Sequence, residues 1–416
     1  GSYRTDGSSR FAPSVRWGSF YSVGAGWRLS QEEFMKNVKW INELKLKVSY
    51  GEQGNENIGL YYQYIPYYYA NGDGTYSPPT RPANPDLKWE TNKMLNIGVD
   101  FTLFDNRLQG SVDWFNKVSD NLLFDVPLAP GHGFASVYQN IGSMKNTGIE
   151  IQLGYNAVRT KNFNWRIDLN LTKFKNEITK LPEAQSVKGI VTGTKKLLAG
   201  HSIYDFWLRE YAGVDPSNGD ALYYQDVLDG NGKATGARTV TSVINNATYY
   251  YYGSALPKFS GGLVNSFNYK NFDLSILTTF SYGGLFYDGN YASIMHRGSA
   301  GTAWSVDIKD RWQKPGDITT VPRVQNAIAG QDGASTRWLM DGSYVNIKNV
   351  TLSYTMPKSF ANRIHFEGLK IFFNVDNAYL FTAKKGMDPQ RSFTGTADAT
   401  YTPFRTVSVG FTANLK

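Results

Sequence analysis

The 416-residue chain has no cysteine, which removes disulfide scaffolds, thiolate zinc sites and thiol nucleophiles together. Charge is scarce as well, with Asp, Glu, Lys and Arg at 19% of residues. Polarity is carried instead by Asn, Ser, Thr, Gly and Tyr, not by the Glu/Lys/Ala/Leu mixture that builds helices, so a helical bundle or coiled coil is excluded. No stretch approaches the roughly 18 consecutive apolar residues of a spanning helix. The longest apolar runs are of the order of Tyr249 to Tyr252 and Ala378 to Phe381. A membrane role would therefore have to be carried by β-strands, whose signal per segment is weaker. The four histidines, His132, His201, His296 and His365, lie far apart without H-x-H or H-E-x-x-H spacing, so metal catalysis has no support. Gly189 to Lys195 lacks the spacing of a phosphate-binding loop.

Aromatics are abundant, at 24 Phe, 28 Tyr and 10 Trp, and Gly numbers 41. Such a chain can bury enough surface to fold, which excludes disorder. The net charge of +8 comes from Lys and Arg spread thinly along the sequence, not clustered as a groove for nucleic acid requires. Period two recurs throughout. Leu95, Ile97, Val99, Phe101 and Leu103 alternate with Asn96, Gly98, Asp100 and Thr102. After Asp105-Asn106 the pattern resumes at Leu108, Val112 and Trp114, which reads as a hairpin. Ile149 to Tyr155 with Trp165 to Leu171 repeats it, and further strands are expected over 44–50, 259–269, 272–282, 345–354, 369–375 and 407–415. About a dozen strands result, each near the 9–11 residues of a tilted membrane-crossing strand.

The polar faces are mostly Gly, Asn, Ser, Thr and Asp, a set suited to a water-lined lumen, where a soluble sandwich would carry Lys and Glu. Aromatics are expected at strand ends, at Tyr50, Phe101, Trp114, Tyr155, Trp165, Tyr269, Tyr282 and Tyr354, as in interfacial girdles. Short turns such as Asp105-Asn106 and Tyr269-Lys270-Asn271 alternate with long irregular loops expected over 51–93, 116–146, 176–258, 283–342 and 377–403. These features predict an all-β fold, a transmembrane antiparallel β-barrel with long extracellular loops. No repeat or composition shift divides residues 1–416.

Several segments, in order, resemble the SusC/RagA-type TonB-linked outer-membrane transporters of Gram-negative bacteria. They include Arg4-Thr-Asp-Gly-Ser-Ser-Arg-Phe11 with Ser22 to Ser30, Leu44-Lys-Leu-Lys-Val-Ser-Tyr-Gly51, Asn84-Pro-Asp-Leu-Lys-Trp-Glu90, Gly110 to Asn116, Asn146-Thr-Gly-Ile-Glu150, Pro257 to Gly262, and Asp341 to Tyr354. The resemblance implies the C-terminal portion of a 22-stranded barrel. A plug, the segment that contacts the TonB complex, and upstream strands would precede Gly1. It further implies a cell outer membrane location in contact with lipid, a SusD-like surface lipoprotein as lid, and TonB-dependent import of oligosaccharides or oligopeptides. A non-transporting binding or adhesion barrel is the alternative, and neither enzymatic activity nor a cofactor is expected.

The loop aromatics carry the functional expectation. Tyr61, Tyr62, Tyr64, Tyr67, Tyr68 and Tyr69 crowd one loop, Tyr249 to Tyr252 another, and Trp304 and Trp312 a third. Flat rings with polar tips suit stacking on sugars, gripping peptides or docking a partner. Tyr67, Tyr68, Tyr69, Tyr249, Tyr250, Trp304 and Trp312 are thus candidate ligand or lid contacts. The bland alternative is that they pack loops together. Asp226, Asp229 and Asn231 have oxygen ligands as a calcium loop does but lack its register and distal Glu, and an Asp-Gly/Asn-Gly turn is the better reading.

Overall fold

The computed structural model describes residues 1–57, 64–65, 69–77, 82–128, 130–397 and 401–415. The described chain is nearly all β and forms two compact units. The first comprises Gly1–Ile190, Leu197–Ile203 and Leu263–Lys270, and the second Val191–Lys196, Tyr204–Gly262 and Asn271–Lys416.

The first unit is an antiparallel meander of β1 (Ser2–Gly7), β2 (Trp17–Arg28), β3 (Ile41–Asn55), β4 (Glu90–Leu103), β5 (Leu108–Pro127), β6 (Ser136–Arg159) and β7 (Phe163–Lys180). Its register aligns the sequence periodicity across strands. One row reads Leu46, Val99, Val112, Ile151 and Leu171. One residue along, the row is Lys47, Gly98, Asp113, Glu150 and Thr172. Since the pleat sends successive residues to opposite faces, one face is apolar and the other polar. The hairpin at Asp105-Asn106 turns through three left-handed residues, Phe104, Asp105 and Asn106, with φ of 57°, 55° and 63°. Asp and Asn tolerate that region, and the Phe104 ring stacks on Trp40 at 5.6 Å.

β8 (Phe259–Tyr269) is shared between the units. The second unit contains β9 (Phe272–Tyr282), β10 (Tyr344–Thr355), β11 (Phe366–Thr382) and β12 (Thr406–Leu415), again in sequential antiparallel order. Leu274, Leu352, Phe373 and Val409 form an apolar row, and Ser275, Thr351, Asn374 and Ser408 the neighbouring polar one.

Aromatic pairs mark the ends of this strand set. Phe272 packs on Tyr354 at 4.6 Å at one end, and Phe259 on Tyr282 at 5.3 Å at the other. The 11 residues of β9 separate these pairs by about 34 Å at about 3.4 Å per residue. At a tilt of roughly 35–45° that is about 24–28 Å, the height of an outer-membrane apolar band.

Three expectations need correction. The segment 116–146 is mostly ladder, because β5 and β6 run for 20 and 24 residues and continue their pairing through a bulge at Asn121. Trp114 therefore lies within β5, and Tyr50 likewise lies within β3, which runs on to Asn55, so neither marks a strand end. Backbone groups that leave one partner must find another, and here each strand finds it in its extended neighbour. The segments 176–258 and 283–342 are likewise not irregular throughout. The first contributes small sheets at Ile190–Thr192, Lys195–Leu197, Asp205–Arg209 and Tyr249–Ser254, and at Tyr211–Val214, Ala221–Leu228 and Ala234–Thr241. The second is closed at its base by Leu285–Tyr287 pairing with Leu339–Asp341.

Candidate functional site

Burial is inverted with respect to a water-soluble domain. Leu46, Ile97, Val112, Ile149, Leu352, Phe373 and Val409 of the apolar rows are exposed, whereas Ser119, Asn176, Asn346 and Ser353 of the polar face are buried. An exposed apolar face of this kind, present in each unit, requires a non-aqueous neighbour.

The polar face is neutralised internally. Lys47 Nζ lies 2.6 Å from Asp100 Oδ1 and 2.9 Å from Asp113 Oδ1. Gly98 makes the room, because a Cβ there would come within 2.1 Å of Asp113 Oδ1. Arg166 grips Asp168 on the same face at 2.5 Å. Partly solvated pairs like these add little stability, so their effect is to cancel charge along the surface. Between them is a hollow of about 710 Å³ bordered by Glu43, Lys47, Asp100, Gln109, Arg166 and Asp168. In the second unit Asn349 donates to Asn374 Oδ1 and Asp376 Oδ1, each at 2.7 Å, and Thr351 donates to Asn374 Oδ1 at 2.7 Å.

The connecting segments of the second unit place the candidate aromatics. Asp205–Arg209 pairs with Tyr249–Ser254, setting Trp207 opposite Tyr251 and Arg209 opposite Tyr249. Trp207 stacks on Tyr249 at 6.1 Å and meets Tyr251 edge-on at 4.8 Å. Cations cap these rings: Lys196 Nζ sits 4.1 Å from the Trp207 centroid and the Arg209 guanidinium 4.4 Å from that of Tyr249. Arg238 spans Tyr224 at 4.2 Å and Tyr250 at 4.6 Å while bonding Glu210. Such contacts rigidify each ring through its quadrupole.

Phenol ionisation is suppressed here. Burial pushes Tyr251 up to about 12, and its hydroxyl donates to Lys196 O at 3.1 Å. Tyr250 is raised by burial and by its bond to the Asp226 carboxylate at 2.5 Å. Lys195 is shifted the other way, down to about 7, because it is buried, although Asp205 opposes the shift. Its ammonium donates to Tyr204 O at 2.6 Å and lies over the Phe206 ring at 3.2 Å.

The remaining candidates have separate places. Asp229 closes the turn between Ala221–Leu228 and Ala234–Thr241, its Oδ1 accepting from Asn231 N and Lys233 N at 2.9 Å each. Asp226 is held apart from that turn by Tyr250. Trp312 packs against Gly219, and its indole donates to Pro216 O at 3.1 Å. Trp304 is 46% exposed and stacks on His296 at 5.2 Å. Tyr67 and Tyr68 lie outside the described residues, and Tyr69 is described only as backbone of the small Tyr69–Ala70/Tyr76–Ser77 hairpin. Period-two reading singles out neither Trp207 nor the cations Lys196, Arg209 and Arg238, because they share no local pattern. A search for basic residues one strand away from aromatic runs would have found them.

The chain matches, over residues 1–378, the family described as TonB dependent receptor-like, beta-barrel. It is 31% identical to TonB-dependent receptor P3 of Formosa agariphila, covering 94% of this chain and 40% of that protein. It is 30% identical to TonB-dependent receptor SusC of Bacteroides thetaiotaomicron, covering 93% and 39% respectively. Among solved structures it superposes on the RagAB peptide transporter with a TM-score of 0.85 and 27% identity, covering 99% of this chain and 45% of that one. The chain thus spans about two fifths of the length of these curated relatives. Twelve strands in sequential antiparallel order, matched along nearly their whole length by one family model, place this chain in the TonB-dependent receptor β-barrel family.

Proposed function

We propose that this chain forms barrel wall and extracellular loops of an outer-membrane nutrient importer of a Gram-negative bacterium. Uptake of oligosaccharides or oligopeptides would depend on the TonB complex, acting on a plug outside these residues, and on a SusD-like lipoprotein as lid. The inverted burial carries this reading: exposed Ile97, Val112 and Leu352 suit hydrocarbon, while Lys47, Asp100, Asp113 and Asn349 face the other way. An open sheet in water would pay for that arrangement, whereas lipid satisfies it. Kinship to SusC and to the RagAB transporter supports the import reading. The loop aromatics Tyr67, Tyr68, Tyr69, Tyr249, Tyr250, Trp304 and Trp312 are the proposed contacts with substrate or lid.

The test is uptake of labelled oligosaccharides and oligopeptides by cells that carry the full-length receptor, compared with strains lacking TonB or the neighbouring lipoprotein. Loss of uptake in both strains is expected, with surface binding kept in the strain without TonB. Uptake that survives without TonB would overturn the reading, and binding with no uptake in any strain would favour adhesion.

A further inference from the structure

The polar face of the second unit holds a carbonyl that the protein leaves without a donor. Asn346 of β10 is 3% exposed, and its Oδ1 is buried with no hydrogen-bond partner. Its amide nitrogen is engaged, donating to Gln390 Oε1 at 2.8 Å. The orientation of that amide is set from further off. Asp388, buried as well, accepts from Gln390 N at 3.1 Å and from Gln390 Nε2 at 2.9 Å through the same Oδ1. A carboxylate only accepts, so it keeps the Gln390 NH2 on its own side and turns Oε1 towards Asn346. Asn346 must answer with its NH2, because a flipped amide would set oxygen against oxygen. The atom left over is therefore an acceptor.

Asn346 borders a hollow of about 440 Å³ together with Asn377, Thr382, Lys385, Asp388 and Gln390. Leu380 and Thr382 of β11 pair with Asn346 and Tyr344 and so share its face, while Tyr379 and Phe381 point the other way. Hydrogen bonds, not ring stacking, decide what this hollow holds. The side-chain amide donors on its border are already spent: Asn377 Nδ2 on Phe404 O at 3.0 Å, Gln390 Nε2 on Asp388 and Asn346 Nδ2 on Gln390. The Thr382 hydroxyl donates to Lys384 O at 2.9 Å, which leaves its lone pairs for accepting. A ligand here has to give protons. A peptide unit brings a carbonyl with every N–H, and that carbonyl would meet the same acceptors. An ammonium only gives, but Lys385 stands on the rim and Lys348 Nζ holds Asn377 Oδ1 at 2.7 Å, against the carboxylate of Asp388. Like charge so close disfavours a further cation. A neutral hydroxyl gives its proton and can leave its oxygen to solvent or to the exposed Lys385.

We propose that this hollow is a subsite for a neutral sugar unit, one of whose hydroxyls donates to Asn346 Oδ1, with Gln390 as the positioning residue that holds the carbonyl towards it. The proposal rests on the reading of this chain as part of a receptor for oligosaccharides or oligopeptides and selects the former.

The experiment presents the full-length receptor, purified in detergent, to an array of neutral oligosaccharides and an array of N-acetylated, C-amidated pentapeptides. Capture by neutral glycans is expected. For the glycan bound most tightly, its monodeoxy analogues are titrated by calorimetry, and one of them should bind about tenfold more weakly than the parent. In Asn346→Leu the parent should fall to the affinity of that analogue, which itself should bind as it does to the unsubstituted receptor and so report that the variant is folded. Gln390→Leu should behave in the same way, because the Asn346 amide is no longer oriented. If Asn346→Leu does not fold, Gln390→Leu and the analogue series carry the test. Capture of peptides alone, capture of neither, equal affinity for every deoxy analogue, or an Asn346→Leu receptor that binds the parent as before would each overturn the proposal, the last meaning that Asn346 Oδ1 meets only water. Uptake that persists without TonB would instead sink the import reading and leave these affinities unchanged.

Discussion

At the scale of single residues, face assignment is the most consequential property of the wall strands. Val99 sits between Leu46 and Val112 on the apolar face, and Thr102 between Glu43 and Gln109 on the polar one. Val99→Arg is expected to destabilise the folded full-length receptor by about 2–4 kcal/mol if it lies near the midplane, and Thr102→Arg by far less. The urea midpoints of the two proteins in lipid vesicles decide this, and equal losses would count against the assignment. Lys195 sets a second expectation. Burial lowers its ammonium to about 7 from 10.5, so between those values the unfolded segment binds more protons than the folded one. Stability of its small sheet should therefore rise as pH increases from about 7 towards 10, with the penalty fully present below 7. Hydrogen exchange across Lys195–Leu197 should show that rise, and Lys195→Met should flatten it.

At the scale of elements, the ladder continues past its expected ends because side chains take up the backbone groups that bulges set free. Asn121, at φ 57°, interrupts β5, and Asn140 of β6 bridges the gap. Its amide donates to Asn121 O at 2.9 Å and Lys88 O at 2.8 Å, while its carbonyl accepts from Lys88 N at 2.9 Å. Glu90 adds a bond from Leu123 N at 2.9 Å. Asn140→Ala should therefore loosen the segment before β4 by about 1–3 kcal/mol of local stability, seen as faster exchange at Lys88 and faster tryptic cleavage after it. Wall strands such as β9 should be unaffected, and a uniform change in exchange would argue for a global defect instead.

At the scale of the whole molecule, the two kinds of connection should lie on opposite sides of the membrane. The turn at Asn106 is tight, whereas the segment bearing Trp304 is a folded, aromatic-bearing structure closed by its own strand pair. Recognition surfaces are expected on such connections. Because the chain has no cysteine, Trp304→Cys and Asn106→Cys introduced into the full-length receptor can be probed with an impermeant maleimide. Position 304 should label in intact cells and position 106 only after the outer membrane is permeabilised, with the reverse pattern inverting the topology.

Alternation over residues 95–103 and 149–155 was enough to determine strand identity, face and pairing partners. A period of two has one way to separate Ile97 from Gly98, and a short turn such as Asp105-Asn106 leaves one register. Strand ends were not legible, because the extensions of β5 and β6 depend on Asn140 and Glu90 bonding residues far along the chain. Tertiary structure alone decided the loop sites. His296 reads as an isolated histidine until Gly298, Ser299 and Trp304 turn their N–H groups onto it, and Trp207 meets Tyr249 only through pairing across 42 residues of chain. Local pattern specifies which face a side chain takes, whereas convergence of polar groups on one atom is a property of closed loops, whose contacts no period encodes.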